Sequence, residues 1–126
     1  MRPQITTLAA AVALAGAALA PGAAGAAGEL RTAAQLASYC GGDPGTEAGA
    51  VGRVFCYGYM TGVMQLHREM VADIPELEPG ACPDYTVSRE ELAAVYVNYL
   101  AANADRGAEP PLSVLGDAAA AEWPCN

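Results

Sequence analysis

The chain has 126 residues, six of them Lys or Arg and fourteen Asp or Glu, for a formal net charge of −8. That shortage of cations argues against nucleic acid as a ligand, because phosphate binding needs basic residues, and against an anionic membrane surface for the same reason. A basic protein partner is favoured at long range and low salt, while the acidity also maintains solubility.

The first segment reads as an address. Arg2 gives a short positive start, the chain from Ile5 to Leu19 is apolar and uncharged, and small residues follow. This is the three-part pattern of a secretory signal peptide. A retained membrane anchor fits less well, since a spanning helix needs about 20 apolar residues and this Ala-rich run ends at Pro21-Gly22. Ala18-Leu19-Ala20 has the form of a cleavage site but precedes Pro21. Ala24-Gly25-Ala26 has the same form with Ala27 after it, and is favoured. The expectation is an exported protein, periplasmic in location, with residues 1–26 removed and one domain over 27–126. No later stretch is long and apolar enough to span a bilayer, so no membrane association is expected once the signal is gone.

Four segments then have helical periodicity and none alternates with period two, so the expected fold is all-α, a small four-helix domain. The first helix spans about Thr32 to Cys40. Thr32 and Gln35 fit a capping box, and Gly41-Gly42 should end the helix in the left-handed conformation open to glycine. The second spans about Glu47 to Ala72, with Val51, Phe55, Tyr59, Gly62, Leu66 and Met70 at steps of three and four as its expected apolar stripe. Gly58 and Gly62, each costly inside a helix by about 1 kcal/mol, suggest a flat face where another helix backbone comes close. Pro75, Pro79, Gly80 and Pro83 break the chain. The third helix starts at Ser88, with a second capping box to Glu91 and a hydrophobic staple between Val87 and Leu92. Its expected inner face is Leu92, Val95, Tyr96, Tyr99 and Asn103. After NADRGAEPP the fourth runs from about Pro111 to Glu122, with Leu112, Leu115, Ala119 and Trp123 inward.

Cys40, Cys56, Cys82 and Cys125 form an even set in a short exported chain, which reads as two disulfides. Zinc is disfavoured, because no two cysteines have hook spacing and His67 is the only histidine. A helical hairpin brings the end of helix one beside the early turns of helix two, and the start of helix three beside the end of helix four. The expected pairing is therefore Cys40–Cys56 and Cys82–Cys125. Crossed pairings would require the hairpins to pack ends together, which helical bundles also allow.

A catalytic set is missing from the pattern. His67 is the only neutral-pH base, Ser88 has a capping role, and the four cysteines have structural uses. Carboxylate pairs such as Glu76 and Glu78, or Glu90 and Glu91, lie in polar segments and read as solvated. No metal motif, cofactor loop or phosphate loop occurs. The expectation is a non-enzymatic protein that binds a partner, with no cofactor.

Several motifs point further. They are Tyr39-Cys40, the run Phe55-Cys56-Tyr57-Gly58-Tyr59-Met60-Thr61-Gly62, Cys82-Pro83 before Thr86-Val87, Tyr99-Leu100, and a terminal Trp123-Pro124-Cys125. In this order, from about residue 30 to the end, the chain resembles the Rap/Tai family of immunity proteins. The matched positions, including Phe55, Gly58, Tyr59, Gly62, Trp123 and Pro124, are structural in type. The resemblance implies a periplasmic helical protein that binds and inhibits a peptidoglycan-cleaving amidase toxin delivered by type VI secretion. The alternative is a periplasmic structural or chaperone-like helical protein without a dedicated toxin. Expected contacts to a basic amidase are Glu76, Glu78, Asp84, Asp105 and Glu109, all on helix-breaking loops. A second copy of the chain, giving a homodimer, is also open as a partner.

Overall fold

The computed structural model describes residues 29–126, so the export signal expected at 1–26 lies outside the described residues. The order is α1 (Ala33–Cys40), α2 (Glu47–Asp73), α3 (Arg89–Ala102), a short 3-10 helix (Ala104–Ala108) and α4 (Pro111–Glu122). The described residues contain helices and no strand, as the periodicity implies. Only the short 3-10 helix lacks a counterpart in the sequence reading.

Local chemistry sets the helix ends. Thr32 Oγ1 accepts from the Gln35 N–H at 3.3 Å, and Gln35 Oε1 accepts from the Thr32 N–H at 3.0 Å, so the first capping box is complete. Thr46 caps α2 by accepting from the Gly49 N–H at 3.1 Å. Ser88 accepts from the Glu91 N–H at 3.1 Å. The reciprocal half of that box does not form, because the Glu91 carboxylate accepts the Tyr85 hydroxyl at 2.6 Å. Gly41 follows α1, but with φ of −91° rather than left-handed; its N–H donates to Ala37 O at 2.9 Å.

The core joins all four helices: Leu36 and Cys40 from α1, Cys56 and Met60 from α2, Leu92, Tyr96 and Leu100 from α3, Val114 and Leu115 from α4, closed by Trp123. Val87 packs against the same cluster as Leu92, the arrangement expected of the staple. Tyr96 ties the two halves together. It is fully buried and its hydroxyl donates to Ala33 O at 2.9 Å. Ala33 N–H in turn donates to Glu109 O at 2.8 Å, so the start of α1 is held against both α3 and the segment leading into α4.

Both disulfides have the hairpin pairing. Cys40–Cys56 has its Cα atoms 5.1 Å apart and links α1 to α2. Cys82–Cys125 has them 4.9 Å apart and links the chain before α3 to the chain after α4. Each bridge restricts the unfolded chain, by about 3 kcal/mol for the shorter loop and about 4 kcal/mol for the longer one on the chain-entropy account.

The rotation of α2 differs from the stripe expected of it. Its buried residues are Gly52, Cys56 and Met60. Val51 is 64% exposed, Phe55 41%, Leu66 55% and Met70 40%. The reason lies in the first disulfide: Cys56 must face α1, and Phe55, one residue earlier, then points about 100° away around the helix. Gly58 and Gly62 face open space, with nothing within 4 Å of where a Cβ would stand, so no helix backbone approaches them. The close approach is at Gly49 and Gly52 instead. A Cβ on Gly49 would collide with the Asp43 backbone, and one on Gly52 would sit 3.4 Å from Tyr39. The inner face of α4 is likewise shifted: Pro111, Val114, Leu115 and Ala118 are buried, and Leu112 is 55% exposed.

Candidate partner-binding groove

The geometry begins with a mismatch of lengths. From helical rise, α1 is about 12 Å long and α2 about 40 Å. The first hairpin partner therefore covers only part of α2, and the C-terminal turns of α2 must find other cover or stay open. The proline-rich segment 74–88 passes beneath those turns and is fastened to the C-terminus of the chain. Cys82 is bonded to Cys125, and the Cys82 N–H donates to Trp123 O at 2.8 Å. Trp123 Nε1 donates to the Tyr85 hydroxyl at 3.1 Å, and that hydroxyl donates to Glu91. The carboxylate of Glu91, chiefly through this hydrogen bond, raises the Tyr85 pKa above its ordinary value. Tail, loop and α3 are thus joined by one polar chain.

Between the C-terminal half of α2, this loop and α4 lies a groove of about 680 Å³. One wall is Val63, Leu66 and Met70 of α2, and the other is Leu112, Leu115 and Gly116 of α4. Tyr85 and Trp123 also line it. The lining is mostly apolar, with His67 and Arg68 its two basic side chains. His67 Nε2 accepts from the Gly80 N–H at 3.4 Å, a long bond that ties the loop to α2. Leu66, Met70, Tyr85 and Leu112 are large and exposed here, a concentration of apolar surface that marks interaction sites. Met64 and Met70 add side chains that adapt their shape to what they meet.

The five expected contact residues fall into two places. Glu76, Glu78 and Asp84 are exposed on the loop beside the groove. Asp105 lies in the 3-10 helix beyond the far end of α3, and Glu109 directly follows it. Glu109 has a structural role there: Arg106 donates to both of its carboxylate oxygens, at 2.9 and 2.7 Å, and also reaches the Tyr99 hydroxyl at 2.9 Å and Asp117 at 2.7 Å. The guanidinium holds the Glu109 carboxyl below the usual carboxylate range. Of the six motif positions, Trp123 lines the groove, Phe55 meets Tyr39 edge-on at 5.0 Å between ring centres, and Tyr59 packs against the core. Gly58, Gly62 and Pro124 are exposed. Leu66, Met70 and Leu112 read from the sequence as core-facing, and the pattern does not single out Val63, Tyr85 or Gly116. The signal that separates them is the length of α2 against α1.

A second, smaller cleft of about 240 Å³ lies by Cys40, Tyr57 and Asn98. Arg53 and Arg89 flank the Tyr57 ring, 5.6 and 5.5 Å from its centre, and Arg53 donates to its hydroxyl at 2.6 Å. Both arginines are thus engaged, Arg53 within α2 and Arg89 in joining α3 to it. Among the described residues no cluster of His, Cys, Asp and Glu could hold a metal ion, and no helix is long and apolar enough to cross a membrane.

No curated protein and no solved structure matches the chain. A family model for the Rap1a immunity proteins matches residues 32–125, a span that runs from the cap of α1 to the last disulfide cysteine. It takes in the four helices, both disulfides and the groove. The chain belongs to the Rap1a immunity protein family.

Proposed function

We propose that this protein is exported to the periplasm and there binds and blocks a peptidoglycan-cleaving amidase toxin delivered by a type VI secretion system, without catalysis of its own. The family match over residues 32–125 carries the reading, since immunity proteins act by binding a secreted toxin. The apolar, uncharged N-terminal run supports export, and two disulfides suit an oxidising compartment. The formal charge of −8 suits a basic cell-wall hydrolase as partner. Non-catalytic action is supported by His67, whose imidazole is exposed and bonded to a backbone N–H rather than to a nucleophile.

The test is inhibition. The disulfide-bonded protein, titrated into each of a panel of type VI peptidoglycan amidases, should abolish cleavage of purified peptidoglycan by one of them at equal stoichiometry. Association should slow as salt rises, because exposed charges are screened beyond about 8 Å at physiological ionic strength. Undiminished cleavage at saturating protein contradicts the reading. The exposed apolar groove favours a chaperone-like protein as the second reading. That protein would suppress aggregation of unrelated unfolded chains and leave the amidase active.

A further inference from the structure

We propose that the groove between α2 and α4 is the seat of a basic amphipathic segment of the toxin, its apolar side chains on Leu66, Met70 and Leu112 and its Lys or Arg flanks against the surrounding carboxylates. The identity of the segment's owner rests on the toxin-binding reading; the chemistry of the segment rests on the groove.

Charge selects the occupant. Glu69 and Asp73 lie on the same turns of α2 as Arg68 and Met70, and Glu76, Glu78 and Asp84 lie on the loop that borders the groove, all exposed. Glu91 is bonded to Tyr85 in the groove wall, and the Glu122 charge also acts on that hydroxyl. Against these seven carboxylates stand Arg68 and the ring of His67. An apolar seat inside an acidic border recognises an apolar ridge flanked by cations. A second copy of this chain carries the same charge of −8 and would bring carboxylates against carboxylates. A fatty acid would find the apolar lining, but its carboxylate would have Arg68 alone among the acidic neighbours. Two helical walls also suit a helix laid in a groove, a recurring mode of peptide recognition. Gly116 keeps the α4 wall low: nothing lies within 4 Å of a Cβ built there.

The groove carries its own reporter, because Trp123 lines it and is the chain's only tryptophan. The probe is a synthetic peptide of leucines and lysines at amphipathic helical spacing, titrated into the intact disulfide-bonded protein. Trp123 emission should change saturably. Gly116→Leu, which fills the groove, should weaken binding about tenfold or more, and so should Glu76→Gln/Glu78→Gln/Asp84→Asn. Gly116→Leu should raise helix propensity, and an unchanged circular dichroism spectrum confirms its fold; Leu112→Ser is a second groove variant on an exposed position. A peptide with glutamates in place of lysines should not bind. Equal binding of that peptide, wild-type affinity in all the variants, or saturation by decanoate with no response to the lysine peptide would each overturn the proposal, as would a dimer at working concentration that hides the groove. The amidase assay separates the two readings. Full inhibition by the groove variants would overturn this proposal and leave toxin binding standing. Failure of the wild type to inhibit, with the lysine peptide still bound in the groove, would overturn toxin binding and support the groove assignment.

Discussion

Tyr96 concentrates much of the fold in one side chain. Its ring fills the centre of the core and its hydroxyl joins α3 to the start of α1, 63 residues away. Tyr96→Phe keeps the ring and removes the donor, so it should cost about 1 kcal/mol, the usual net value of such a bond, read as a lower urea midpoint with unchanged slope. Burial pushes the Tyr96 pKa well up, with the Tyr59 hydroxyl adding to it, and the Glu91 bond raises Tyr85. In both, the folded state keeps the proton that the unfolded chain releases near pH 10. Their contribution is therefore full below about pH 10 and is lost as pH rises above it towards the raised folded values. The wild type should weaken above that pH, and Tyr96→Phe should lose less over the same range. An equal alkaline loss in both proteins would remove Tyr96 from the account. At this scale the sequence was informative about groups with local partners, such as Thr32 with Gln35. It was silent about Arg106, whose bonds to Tyr99 and Asp117 exist only once α3 and α4 are packed.

At the scale of the helices, the boundaries and the disulfide partners were legible, because prolines, caps and short loops act over a few residues. The rotation of α2 was not. Two apolar faces compete on it, one through Gly52, Cys56 and Met60 and one through Val51, Phe55 and Leu66, and periodicity alone favours the bulkier side chains. The crosslink to Cys40 decides for the first. Two glycines on this helix test that rotation. Gly49→Ala should destabilise by about 1–3 kcal/mol, since the added methyl meets the Asp43 backbone. Gly58→Ala should stabilise by up to about 1 kcal/mol, because its methyl meets open space and alanine is the better helix former. Thermal unfolding of the two variants checks this, and the reverse order would show that α2 turns its other face to the core. The groove has a separate cause: Leu66, Met70 and Leu112 have the composition of core residues, and the shortness of α1 and the path of the 74–88 loop leave them open.

For the molecule as a whole, the elements serve one arrangement. The first disulfide fixes which face of α2 is inward, and the second holds the loop against the C-terminal tail. Together they leave an apolar seat inside an acidic border on a small, crosslinked domain. A preformed seat of this kind binds with less ordering cost than a flexible one, and its oxidised frame suits the proposed export. The central claim joins location to partner, and protection of living cells tests both. Bacteria directing the inhibited amidase to their own periplasm would be scored for lysis while producing either the full chain or a chain starting at Ala27 behind a new Met. The account predicts survival with the full chain and lysis with the shortened one. Lysis despite abundant, oxidised protein exported from the full chain would contradict it.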